Sequence, residues 1–95
     1  MKIEIDFDPI KNAKNILDRN LSFESAAYFD FSTAKFWVDE RDCYSEMRFV
    51  AVGYLEDRLH VMCFTETTRG IRVISFRKAN QREGVKHGFS LTRHQ

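Results

Sequence analysis

Residues 48–76, RFVAVGYLEDRLHVMCFTETTRGIRVISF, decide the fold. Arg48 to Leu55, Leu59 to Thr65 and Ile71 to Phe76 are runs rich in Val, Ile, Phe and Tyr, the residue types that fit a pleated, half-buried surface. Glu56, Asp57 and Arg58 form a polar tip of hairpin length between the first two runs, and Gly70 closes the turn before the third. Three consecutive strands are predicted.

Elements on either side complete the order. Upstream, Phe36, Trp37 and Val38 form a short β-prone run, and the acidic segment Asp39 to Glu46 reads as a connecting loop. Further upstream Ser22 can cap a helix carrying Phe23, Ala26, Ala27 and Phe29. Asp8-Pro9 opens an earlier helix, because the carboxylate can accept from free amides and proline fits the first turn. That helix runs to about Arg19, with Ile10, Ala13 and Leu17 on one face and Asn20 as the left-handed residue that ends it. In Lys2 to Asp8 the apolar residues Ile3, Ile5 and Phe7 alternate with acids, the period of a half-buried strand. Downstream, Asn80 and Glu83 have capping-box spacing, so a last helix starts near Asn80 and stops near Gly88, leaving 88–95 as a frayed tail. The order is β-α-α-β-β-β-β-α, an α+β fold with a mainly antiparallel sheet and two N-terminal helices on one side.

The 95 residues suffice for one domain with a single core, and nine Phe, three Tyr and Trp37 supply the apolar bulk of a folded protein. No apolar run approaches the roughly 20 residues of a membrane span, and the start MKIEID lacks the apolar stretch of a secretory signal, so a cytoplasmic protein with no membrane association is expected. Cys43 and Cys63 have neither partners for a disulfide framework nor metal-ligand spacing; both are expected to be reduced, with Cys63 buried in a strand.

Net charge of +1 hides a polarised chain. Before Arg58 there are 7 Lys/Arg against 12 Asp/Glu, and from Arg58 onward 8 against 2. The basic part could face nucleic acid or an acidic partner. Within it, GIRVISFRKANQRE (residues 70–83) gathers Arg72, Arg77, Lys78 and Arg82 around one strand-to-helix junction, where cations suit a phosphodiester.

These residues carry a resemblance. Asp6-Phe7-Asp8-Pro9 with Lys11 and Asn15, then Ser22-Phe23-Glu24, Glu46, Arg48-Phe49, Gly53 and Phe64-Thr65-Glu66 are in register with the BrnT family of ribonuclease toxins. The most specific part is Arg72-Val73-Ile74-Ser75 with Arg77, Ala79 and Glu83, and the match spans about Asp6 to His87. The family commonly has Trp at Phe7, His-Gly at Arg19-Asn20, Pro near Ser32, a small residue at Phe76 and Tyr at His87; the last two departures flank the expected site.

The resemblance implies a fold similar to that of RelE and a metal-independent endoribonuclease, needing no cofactor, that inhibits translation. It also implies a BrnA-like ribbon-helix-helix antitoxin bound as a 2:2 complex that represses the shared operator DNA. Cleavage by the 2′-hydroxyl requires a base, cations for the charge that builds on phosphorus and an acid for the leaving oxygen. Arg72 and Arg77 are the first candidates for the cationic role, because a guanidinium fork binds two phosphate oxygens at once. They are five residues apart, so on a regular strand they point to opposite faces. Either a bulge or the strand end redirects Arg77, or only one of them touches substrate. Should the two be splayed apart, each locked against its own acidic neighbour, the nuclease reading loses its physical basis. Glu66 and Lys11 complete the catalytic candidates, and Arg48, Lys78, Arg82 and His87 are expected to bind RNA. Glu83 reads as the partner in the helix cap. The rival is a toxin-like module that binds antitoxin or nucleic acid without cleaving.

Overall fold

The computed structural model describes residues 3–93. In chain order the elements are β1 (Glu4–Phe7), α1 (Pro9–Arg19), a 3₁₀ helix (Phe23–Tyr28), β2 (Lys35–Val38), β3 (Arg48–Leu55), β4 (Arg58–Glu66), β5 (Gly70–Lys78) and α2 (Gln81–His87). The strands form one five-stranded mixed sheet in the order β1-β5-β4-β3-β2. Three pairings are antiparallel, and β1 runs parallel to β5. The α+β class therefore holds. The predicted second α-helix is instead a short 3₁₀ helix, capped as expected by the Ser22 side chain, which accepts from the Glu24 amide.

The sheet divides the apolar residues between its faces. Phe23, Ala26 and Phe29 of the 3₁₀ segment pack on Ala51, Met62, Phe64, Ile71, Val73 and Phe76, the main core. On the opposite face Val52, Tyr54, Leu59 and Ala79 form a smaller cluster joined by Phe89 and Leu91. Residues 88–93 are thus docked rather than frayed: the Leu59 amide donates to the Leu91 carbonyl, and Arg93 pairs with Asp30 at 2.6 Å. The remaining predicted tail residues and Lys2, the first residue of the predicted strand, lie outside the described residues.

Helix α1 departs most from expectation. Asp8 caps it and Asn20 ends it in the left-handed region, as the sequence suggests. Yet Ile10 is 80 % and Leu17 85 % exposed, so the apolar stripe does not cover the sheet. The buried residue of this helix is Asn15. Its amide nitrogen donates to the carbonyls of Leu21 and Phe76, each at 3.0 Å, and its Oδ1 accepts from Arg19. Beyond Val73 strand β5 has no β1 partner, and Asn15 supplies the donor that the edge carbonyl of Phe76 needs. Asn15→Ala removes that donor and leaves a buried carbonyl unpaired, an expected loss of about 2 kcal/mol. Thermal unfolding should show it as a midpoint lowered by on the order of 10 °C.

Candidate functional site

The open side of the sheet, between β2 and α2, holds a cavity of about 470 Å³. Val50, Val52 and Val61 line it together with Cys63 and Ser75, and its polar rim includes Asp39, Arg41, Arg77, Glu83, Lys86 and His87. Register explains how Arg77 reaches it. Cys63 pairs with Ser75 but Phe64 pairs with Val73, so Ile74 is an extra residue in β5. This bulge shifts the alternation: Ile71, Val73 and Phe76 all enter the main core, which leaves Arg72, Ser75 and Arg77 to the other face. The bulk at Phe76 is therefore 1 % exposed in the core and does not crowd the groove.

Sharing a face does not bring the two arginines together. Arg72 pairs with Asp6 at 2.6 Å, set opposite it by the parallel register of β1, and does not line the groove. Arg77 makes two bonds to Glu83, at 2.8 and 2.6 Å. Each is locked against its own carboxylate, so the physical basis expected for a nuclease, two converging arginines, is not met; Arg77 enters the groove without Arg72.

The remaining expected residues are spread around the molecule. Arg48, Thr65 and Arg72 stand side by side on three adjacent strands, in register and on the groove's face. Arg48 lies over the Tyr44 ring at 4.1 Å, and among the described residues it has no carboxylate partner. Glu66 pairs with Ile71 and so belongs to the core side, away from the groove. Lys11 is exposed on α1, and Arg82 is exposed on α2. Lys78, opposite His60, borders a second cavity that also includes Arg19 and Arg77. His87 does line the groove.

Three groove features escaped the sequence reading. Arg41 folds back on Asp39 with two bonds of 2.8 and 2.7 Å, inside the segment read only as an acidic loop; the carboxylate two residues before an arginine was the available signal. Trp37 and His87 are stacked, with ring centroids 4.7 Å apart and planes at 21°. Lys35 donates from Nζ to the His87 carbonyl at 2.6 Å, fastening the last turn of α2 to β2. Lys35 and Trp37 lie two residues apart on β2 and so share a face, but the sequence does not say that α2 would meet them.

Electrostatics narrow the roles. Glu83 completes the predicted capping box, accepting from the Asn80 amide while the Asn80 side chain accepts from its own. The Arg77 hydrogen bonds pull its pKa down to about 2, so it is a weak base. The same bonds hold Arg77 above its ordinary value, while the like charge of nearby Arg41 works the other way. Burial raises the Cys63 thiol, a poor setting for a thiolate. Among the described residues no three His, Cys, Asp or Glu side chains gather as a metal-ligand set.

These shifts fix the sign of the pH dependence of stability. Glu83, Asp30 and Asp39 have folded pKa values below their ordinary ones because of bonds to Arg77, to Ser32 and Arg93, and to Arg41. Their contributions are complete above the unfolded values near 4 and are lost as pH falls through the folded ones. Buried His60, whose pKa burial lowers, acts in the same direction below its ordinary 6.5. Unfolding midpoints in urea should fall continuously from about pH 6.5 towards pH 2, and Glu83→Gln should flatten the lower part.

The family model described as "Ribonuclease toxin, BrnT, of type II toxin-antitoxin system" matches residues 7–83. No curated protein matches the chain.

Proposed function

The chain belongs to the BrnT family of ribonuclease toxins of type II toxin-antitoxin systems, and on that premise we propose that it is a cytoplasmic endoribonuclease cutting RNA without a metal ion at the groove between β2 and α2. The observation that carries this reading is the presence of Arg77, Lys86 and His87 on one apolar-floored cavity. In this scheme the 2′-hydroxyl of one nucleotide attacks its own phosphate, and the P–O5′ bond breaks to leave a cyclic phosphate. The Arg77 fork and the Lys86 ammonium take the charge that builds on the non-bridging oxygens. His87 is the imidazole on this cavity; it takes the proton of the attacking 2′-hydroxyl and passes one to the departing O5′, so the protons balance. Arg48 and Arg72 extend the track along the same face for neighbouring phosphates.

The partner in this reading is a BrnA-like ribbon-helix-helix antitoxin, forming a 2:2 complex that represses the shared operon. The exposed Ile10 and Leu17 of α1 are apolar surface of the kind a protein partner buries.

One observation favours the rival reading of a non-catalytic module: Arg77 and Arg41 are each already matched by a carboxylate in the free chain. Expression in a growing cell separates the two. Growth arrest that the antitoxin relieves, and that Arg72→Ala with Arg77→Ala abolishes, supports the nuclease. A harmless parent chain supports the module. Degradation of RNA by the purified protein, equal with and without a chelator, tests the metal-free chemistry directly.

A further inference from the structure

We propose that Trp37, with His87 stacked on it, is a nucleobase-binding platform in the groove, so that single-stranded RNA is held there by base stacking as well as by charge. RNA as the occupant rests on the nuclease reading; the platform itself rests on the geometry.

Charge leaves a gap that stacking can fill. The groove's formal charges balance: Asp39, Glu40 and Glu83 stand against Arg41, Arg77 and Lys86. A balanced cleft releases few counterions when a phosphate chain enters, so electrostatics alone gives weak retention. Stacking on an aromatic ring adds about 1–3 kcal/mol per base and tolerates any sequence.

Trp37 is built for that role. In β2 it pairs with Val50, whose side chain floors the groove, and its ring borders the same cavity. A tryptophan that only cemented α2 to the sheet would be buried by the contact, yet Trp37 remains 38 % exposed after stacking on His87. The cementing task is met independently by Lys35, which holds the His87 carbonyl and sits 5.7 Å from the centre of the Phe89 ring. A platform fixed on a strand and braced by a second ring loses little freedom on binding. A base resting on it sets which phosphodiester reaches Arg77, and because stacking grows with overlapped area, purines should be preferred at that position.

Trp37 is the only tryptophan in the chain, so its fluorescence reports on the platform alone. A short 2′-O-methyl oligonucleotide has no free 2′-hydroxyl and is not cut, which allows equilibrium titration. Saturable quenching is expected for the parent; with a dye-labelled oligonucleotide read by anisotropy, affinity should fall roughly 5- to 150-fold in Trp37→Leu and be largely retained in Trp37→Phe. An abasic strand with the same number of phosphates should bind the parent chain about as weakly as the intact strand binds Trp37→Leu, a comparison that needs no variant to fold. Absent quenching on binding, or equal affinity for abasic and intact strands, overturns the platform. Unchanged oligonucleotide affinity in Trp37→Leu also overturns it, and if antitoxin binding falls instead, the ring belongs to the protein interface. RNA cleavage by the same preparations keeps the two readings apart. A parent that stacks but never cuts refutes the nuclease and leaves the platform, whereas a parent that cuts while failing these comparisons does the reverse.

Discussion

Arg77→Ala is expected to slow RNA cleavage by roughly 10²- to 10³-fold, the usual effect of removing one donor aimed at developing charge. Arg77 lines the groove, and its planar fork is already oriented by the two oxygens of Glu83, so an incoming phosphate has only to replace one bidentate acceptor with another. Arg77→Lys should recover little, because a point charge does not reproduce the fork. Structural damage should be small by comparison. The pair is partly exposed, with side chains 40 % and 25 % accessible, and partly exposed pairs contribute about 1 kcal/mol or less. Glu83 also keeps its bond from the Asn80 amide when Arg77 is gone. Arg72→Ala serves as the comparison: it lies outside the groove against Asp6, and its loss should cost less than tenfold. Single-turnover cleavage with enzyme in excess measures both. Equal losses in the two variants would restore the joint role that the sequence suggested and would count against a groove centred on Arg77.

The same contrast shows what the sequence could and could not disclose. Strands β2 to β5 were legible because each has β-prone residues between polar or glycine breaks, and both helix caps were legible because a cap is a local hydrogen-bonding problem. Sheet order is not local. Placing β1 beside β5 sets Glu4 and Asp6 against the basic half of the chain, where they pair with Arg69 and Arg72; the charge separation seen along the sequence is thereby reduced in space. The bulge was present as a broken rhythm, since Ile71 and Val73 keep a period of two and the next core residue is Phe76. Alternation could show that Arg77 needed redirecting, and only the register showed that Ile74 does it. Helix α1 misled for a different reason. Periodicity finds an apolar stripe, but the unpaired carbonyl of Phe76 demanded a donor, and Asn15 faces inward while Ile10 and Leu17 face solvent.

Gly70→Val is expected to destabilise the fold by more than about 3 kcal/mol and to unfold much of the protein at physiological temperature. A Cβ placed at Gly70 would lie 2.1 Å from the carbonyl oxygen and 2.6 Å from the amide nitrogen of Glu4. Both are backbone atoms of the paired strand, so no rotamer change relieves the contact and β1 must move away. Pairing of Glu4, Ile5, Asp6 and Phe7 with β5 begins at this residue, and its loss strips Ile5 and Phe7 from the edge of the main core. It also removes Asp6 from Arg72. Gly70→Ala brings the same atom into the same place and should be nearly as damaging, which separates a steric cause from the extra bulk of valine. Chemical unfolding of the soluble fraction gives the magnitude, and amide exchange gives the location: the β1 and β5 amides should lose protection before those of β3 and β4. An alanine variant with the parent's stability would mean that β1 can slide along β5, and with it that Asp6 is not fixed opposite Arg72.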